Sequence, residues 1–474
     1  MPGSMPDGPA RRVTDFTQGS IPRHLISFSA PMLLGNLLQA LYNTVDSVWV
    51  GQFLGARALA AVSVGFPVIF ALIALVTGIS MATTVLVSQY FGARRGEDVV
   101  RTINNSLMLL TVLGGAVSVL GLAFRRPLLG LINTPPEIMD DAASYLGIYL
   151  TGLVPMFIYN AAGAILRGLG DSRTPLKFLA YATGLNIILD PVFIFGLGPL
   201  PMMGVDGAAL ATVVAITFSA LVSLRYLYVS SGLVRYRPGT FRLDWPLTRL
   251  TFRIGLPAGI QQVLVSLAAV AVSSLVNRFG PDVVAGFGAA SRLDQFAFMP
   301  AMSVGLAVSA LVGQNLGAGL VRRVHETVRW SVLLSGGITL VVALVAFFRP
   351  QALMVLFTRD QAVLAEGSLY LRYLAFAYVP MALMFAVAGV IRGAGDTVPT
   401  MVLTLVSLWL VRVPLAAYLS TRTSLGVAGV WLAVAASPYV GLTLYYAYYR
   451  SGRWQARVVA RRRGGPEVGP EPVA

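Results

Sequence analysis

The feature that most limits how this chain can fold is a succession of apolar blocks, each roughly 20 to 28 residues long, separated by short basic or glycine-rich connections. A block of that length crosses a bilayer core of about 30 Å as a helix. Composition rules out a water-soluble alternative: 56% of the 474 residues are hydrophobic and 12% are charged, against about 25% charged in soluble domains. So few charges could not cover so much apolar chain. The spacing of the blocks predicts twelve spans, at about 21–49, 58–90, 99–123, 143–166, 175–197, 207–230, 252–277, 283–312, 328–347, 368–390, 399–420 and 426–449.

The net charge of +15 would suggest nucleic acid in a soluble chain, but here the lysines and arginines sit in loops and tails. Assigned to alternate connections, 25 fall on the side of the two chain ends and 7 on the other, with Arg292, Arg372 and Arg412 inside or at the ends of spans. Retention of positive loops in the cytoplasm then predicts both termini cytoplasmic. The basic charge is explained by the membrane surface, and no nucleic-acid partner is expected. With no cysteine and with His24 and His325 in charged flanks, no metal site or covalent cofactor is expected. No removable signal precedes the first span, which targets the chain to the inner (plasma) membrane as a multi-pass protein.

The sequence is written twice. At a shift of 225 residues, Pro155 matches Pro380, Ser88-Gln89-Tyr90-Phe91-Gly92-Ala93 matches Gly313-Gln314-Asn315-Leu316-Gly317-Ala318, and Arg167-Gly168-Leu169-Gly170-Asp171 matches Arg392-Gly393-Ala394-Gly395-Asp396. At a shift of 222, Gly204-Val205-Asp206-Gly207 matches Gly426-Val427-Ala428-Gly429. Each copy holds six spans, so both enter the bilayer from the same side, and an all-α fold of two pseudo-symmetric six-helix lobes around a cavity follows. The expected organisation is a cytoplasmic tail at 1–20, an N-lobe at 21–232, a cytoplasmic linker at 233–250, a C-lobe at 251–450 and a disordered basic tail at 451–474. The linker contains Arg235, Arg237, Pro238, Gly239 and Arg242. The two Arg-Gly-x-Gly-Asp turns lack the lysine and Ser/Thr of a phosphate loop and read as tight helix connections.

Asp46 with Val50-Gly51 and Gly55, the box from Ser88 to Ala93, the paired Arg-Gly-x-Gly-Asp turns, and Leu189-Asp190-Pro191 followed by Gly204-Val205 and Gly207-Ala208-Ala209 resemble the multidrug and toxic compound extrusion (MATE) transporters over roughly residues 20–450. The order and duplication of these boxes are specific. The likeness is to the bacterial DinF-like branch, because the membrane acids lie in the first lobe. The second lobe has Gln261-Gln262 and Met381 where the NorM-like branch has acids.

A carboxylate in mid-bilayer costs about 2.5–3.5 kcal/mol unless it is partnered or protonated. Asp46 follows Asn36, Gln39 and Asn43 on one face of the first span, and Asp190 follows Asn186 and Thr183 on one face of the fifth. Both stripes must face protein or water. The competing roles are a helix-end residue at the outer interface for Asp46 and solvation at the Pro191 bend for Asp190. The functional reading is a pair of acids that takes up and releases a proton, or oxygen ligands for Na⁺. The resemblance adds Asn160, Asn186 and Thr212 around the aspartates as a cation site. Each of these is otherwise a helix-packing hydrogen bond. Pro31 weakens the first helix below Asp46 and is a candidate hinge.

Candidate substrate-cavity residues are Gln39, Tyr42, Asn43, Met156, Phe157, Tyr159, Gln262, Ser266 and Phe296, with Phe66, Phe70, Thr77, Met81, Thr84, Ser88, Ser273 and Asn277 as further lining positions. Arg292 and Asp294 read as a secondary ion pair in the second lobe. The expected function is secondary active efflux, without an enzyme's chemistry, exchanging H⁺ or Na⁺ for small amphipathic, cationic organic substrates. Lipids are the other expected partners, and a monomer is expected. The alternative is a flippase for lipid-linked saccharides or peptidoglycan precursors, which would favour a cationic cavity. A membrane transferase would need paired acids, and Asp140-Asp141 on the outer side is the only adjacent pair of aspartates.

Overall fold

A computed structural model describes residues 14–196, 201–230 and 243–462; the side chains of Asp46, Ser47, Ala56, Ser230, Arg461 and Arg462 lie outside the description. Residues 1–13 of the expected N-terminal tail, 233–242 of the expected linker and 463–474 of the expected C-terminal tail also lie outside the described residues.

Among the described residues every regular element is helical. The first copy of the repeat comprises α1 (Ile21–Trp49), α2 (Gly55–Gly92), α3 (Gly96–Leu131), α4 (Pro136–Thr151), α5 (Leu153–Gly168), α6 (Arg173–Phe195) and α7 (Gly204–Arg225). The second comprises α8 (Trp245–Val276), α9 (Pro281–Gly317), α10 (Val321–Phe348), α11 (Pro350–Met354), α12 (Gln361–Gly393), α13 (Thr397–Leu405), α14 (Val413–Arg422) and α15 (Val427–Arg450). A π-helical segment, Val406–Arg412, joins α13 to α14 into one span. Among the described residues, eleven helices are long and apolar enough to cross a membrane, and there are twelve such spans if the bent pair α4 and α5 counts as one. That pair covers the expected fourth span at 143–166, and the chain turns by 46° at Gly152, where a Cβ would lie 2.8 Å from Val213 Cγ2. Large apolar side chains such as Val119, Leu120, Val270, Val341 and Leu344 are exposed, as lipid-facing helix surfaces require.

The repeat is legible in the backbone. Left-handed conformations fall at Gly55, Arg94, Gly170 and Gly204 in the first copy and at Gly280, Gly319, Gly395 and Gly426 in the second. Both Arg-Gly-x-Gly-Asp turns close alike, with Asp171 N–H on Leu166 O at 2.8 Å and Asp396 N–H on Ile391 O at 3.1 Å. The acids then diverge. Asp171 caps α6, accepting from the Arg173 and Thr174 amides at 3.0 Å each, whereas Asp396 accepts from Tyr448 Oη at 2.5 Å.

By contacts the chain forms two units whose residues interleave along the sequence. One contains Leu34–Val87 and Arg95–Gly255; the other contains Asp15–Leu33, Ser88–Arg94 and the chain from Leu256 onward. These units differ from sequence lobes at 21–232 and 251–450 chiefly at the start of α1 and the end of α2. α1 runs unbroken through Pro31 and changes unit just beyond it, between Leu33 and Leu34.

The second unit holds a reciprocal contact between the repeated boxes. A Cβ on Gly92 would lie 1.9 Å from Gln314 O, and one on Gly317 would lie 2.0 Å from Gln89 O, so both positions require glycine. The two glutamines each hold a segment that lies outside the spans. Gln314 Oε1 accepts from Phe16 N–H at 2.9 Å, and Gln89 Oε1 accepts from Val459 N–H at 2.8 Å while its amide donates to Gly393 O at 2.8 Å. Residues 451–462 therefore correct the expectation of a disordered tail: they form 3-10 turns, and Trp454, 0% exposed, stacks on Tyr449 at 5.7 Å between ring centroids.

Candidate cation and substrate site

The first-repeat site starts from α6. Helical periodicity puts Thr183, Asn186 and Asp190 on one face, and all three are buried, Asn186 and Asp190 at 0% exposure. Asn186 Nδ2 donates to Asp190 Oδ1 at 3.1 Å. Among the described residues, Asn186 Oδ1 and Thr183 Oγ1 have no hydrogen-bond partner. Buried acceptors of this kind are costly unless a ligand or water satisfies them. Pro191 follows Asp190 inside the helix, so the Ile187 carbonyl one turn back loses its helical donor.

α1 lies beside α6 in the same direction. A Cβ on Gly35 would touch Leu176 and Leu179 at 3.8 and 3.9 Å, and further along, the rings of Trp49 and Phe53 meet Phe195 at 6.0 and 5.3 Å. Interpolating between these contacts sets position 46 at the level of Asp190. The Asp46 side chain itself lies outside the described residues. α7 runs antiparallel to α6: Ser219 Oγ donates to Phe178 O at 2.7 Å, and a Cβ on Gly207 would lie 2.6 Å from the Phe193 carbonyl. That register puts Thr212 level with Asn186. Tyr42 Oη donates to the buried Thr212 Oγ1 at 3.1 Å, which ties α1 to α7 at this depth.

Asn160 is arranged differently. Its amide donates to Met156 O on its own helix at 2.9 Å, and the tight turn between α5 and α6 sets it about level with Tyr181, more than a turn short of Asn186. Of the residues expected around the aspartates, the structure brings together Asn186, Asp190 and, by level, Thr212.

The cavity candidates divide. On α1, Gln39 and Asn43 are exposed and bonded to each other at 3.3 Å, and Tyr42 is half-buried. On α5, Tyr159 is half-buried. Met156 packs with the core of α2, α4 and α7 and receives the Tyr149 hydroxyl at 3.9 Å. Phe157 is not a cavity wall: it is 0% exposed and would lie 3.3 Å from a Cβ on Gly114 of α3. Thr84 also turns inward, donating to Ala164 O at 3.0 Å, and Ser88 is buried. In the second repeat, Gln262 is exposed, Ser266 is half-buried and Phe296 is 49% exposed. Gln261 donates to Thr404 Oγ1 at 2.8 Å and is a packing residue.

The expected Arg292–Asp294 ion pair is absent among the described residues. Residues two apart point to different faces of a helix, so Arg292 is exposed while Asp294 is buried at 5% exposure. Asp294 Oδ2 instead accepts from the Tyr370 hydroxyl and Oδ1 from the Tyr378 hydroxyl, both on α12. Sequence reasoning missed these tyrosines; the available signal was their spacing of eight, which sets both on one face of α12. Among the described residues, no three His, Asp or Glu side chains are grouped to hold a metal ion.

Comparison with known proteins agrees with the duplication. The family model described as MatE matches twice, over residues 31–192 and 257–418. A relative from Bacillus subtilis (strain 168), described as probable multidrug resistance protein YpnP, is 34% identical over 93% of this chain and 98% of its own length. A Shewanella oneidensis protein described as an FAD transporter is 28% identical over 91% of this chain and 95% of its own. A solved structure described as MATE in the bent conformation superposes with a TM-score of 0.86 at 26% identity, covering 93% of this chain and 97% of that one.

Proposed function

Because the chain belongs to the multidrug and toxic compound extrusion (MATE) family of multi-pass cell-membrane transporters, and is not an enzyme, we propose that it exports small amphipathic, cationic organic compounds in exchange for H⁺ or Na⁺. The observation that carries this reading is Asp190, fully buried in an apolar helix and bonded to Asn186, with position 46 of α1 at the same depth. A membrane carboxylate is retained at a cost, and a change of its charge is the natural trigger for a transporter.

In this mechanism ionised Asp46 and Asp190 receive the coupling ion, with Asn186 and Thr212 offering oxygen ligands. Their neutralisation lets α1 bend at Pro31, which lies where α1 changes contact unit, and the first-lobe cavity shrinks around the substrate and expels it. One charge moving down about 100 mV releases about 2.3 kcal/mol, enough to drive such a step. The lysine and arginine distribution supports cytoplasmic termini, and a monomer in contact with lipid suffices for the cycle.

One observation favours a second reading: the 28% identical relative described as an FAD transporter carries an anionic dinucleotide. Purified protein in sealed proteoliposomes, with pH and Na⁺ gradients imposed separately, tests both. Gradient-driven movement of a cationic dye supports the first reading. Movement of FAD without movement of the dye supports the second.

A further inference from the structure

The second repeat contains a carboxylate that the proposed coupling site does not use. Asp294 lies about 20 Å along α9 from its start, in a helix long and apolar enough to cross a membrane. Around it are Tyr370 and Tyr378 of α12, the rings of Phe287, Phe298 and Trp431, and apolar residues of α8, α10 and α15 such as Val272, Ala343 and Val430. Both of its oxygens accept tyrosine hydroxyls. Among the described residues no arginine, lysine or histidine forms an ion pair with it.

The other charged groups nearby do not supply that partner. Arg412, in the π-helical segment, interacts electrostatically with Tyr370 but donates its Nε to Ser437 Oγ at 2.6 Å. Glu366, one turn before Tyr370, packs its Cβ beside Gly286, and its Oε2 has no described partner. Arg292 and Arg372 are exposed. From α8, α10 and α15 the described members of the cluster are apolar side chains and the indole of Trp431, which does not titrate.

A buried carboxylate with two neutral donors and no counter-ion has two hydrogen-bonding states. Ionised, it accepts from both tyrosines. Protonated, it carries a donor of its own, and one tyrosine hydroxyl must turn to accept. Gain of a proton therefore rewrites the tie between α9 and α12, two residues before Pro380 in α12 and six before Pro300 in α9, where each helix already lacks a backbone bond. We propose that Asp294, with Tyr370 and Tyr378, is a second proton-binding site, housed in the second repeat and separate from Asp190.

The test is difference infrared spectroscopy of the full chain in lipid nanodiscs, recorded as the pH is lowered without substrate. A protonated-carboxylic-acid band that titrates in the wild type, disappears in Asp294→Asn and persists in Asp190→Asn supports the site. Tyr378→Phe removes a donor to the ionised form, so the midpoint of that band must move to higher pH. An absent band, one that survives in Asp294→Asn, or one whose midpoint is unmoved in Tyr378→Phe overturns the proposal. If Asp294→Asn does not fold, the comparison of wild type with Tyr378→Phe decides. The readout needs no transport, so failure of the coupling mechanism at Asp190 leaves a separate signature.

Discussion

The two copies of the repeat share their backbone turns and differ in how each lodges an acid. In the first, the described bond to Asp190 comes from Asn186, one turn away on the same helix. In the second, both bonds to Asp294 come from a neighbouring helix. The acids are not copies of one another, since the shift of 225 takes Asp190 to Leu415 and Asp294 to Ile69. Duplication supplied the frame, and each copy acquired its own polar chemistry. A charge change at Asp190 alters its bond to Asn186 on the same helix, while one at Asp294 alters its bonds to two tyrosines on another helix.

The largest expected effect follows from that contrast. Asp190→Asn should reduce gradient-driven efflux to background with the protein still folded, measured in proteoliposomes alongside thermal unfolding. Undiminished efflux would remove the functional distinction between the copies. At the chain ends, Trp454→Ala should cost about 3–5 kcal/mol of stability, because a fully buried ring is lost, and a lowered unfolding temperature checks it. Phe16→Ala, at the end held by the partner glutamine, tests whether the two ends contribute equally. Gly92→Ala and Gly317→Ala should each destabilise by about 1–3 kcal/mol, and by similar amounts, since each Cβ meets backbone from the other box. Unequal losses would show that the reciprocal contact is unevenly shared. Asn186→Ala should have the smallest effect on stability, about 1 kcal/mol, together with weaker coupling-ion dependence of efflux.

The spans were legible because the bilayer dictates both their length and their apolarity, although helices run about seven or eight residues past several expected ends, at Leu131, Pro136, Trp245, Val321 and Gln361. The stripe of Thr183, Asn186 and Asp190 was legible for a similar reason: helical spacing alone aligns it. What the sequence hid was tertiary. At the bend at Gly152, Val213 of α7 comes close enough that a Cβ would meet it at 2.8 Å, and no local signal records that approach. Arg292 is the nearest charge to Asp294 along the chain yet points elsewhere, and the tyrosines that bind Asp294 lie 76 and 84 residues away. Residues 451–462 read as part of a disordered tail because the segment is basic, whereas two of their apolar side chains, Trp454 and Val458, are buried.

The clasp at the two glutamines bears on how the molecule is made. Phe16 leaves the ribosome 298 residues ahead of Gln314, and Gln89 precedes Val459 by 370. Neither glutamine of the duplicated box can meet Phe16 or Val459 during the insertion of the first helices. The end of α2 must wait until the segment after α15 has been made, so this contact closes only after the described spans exist.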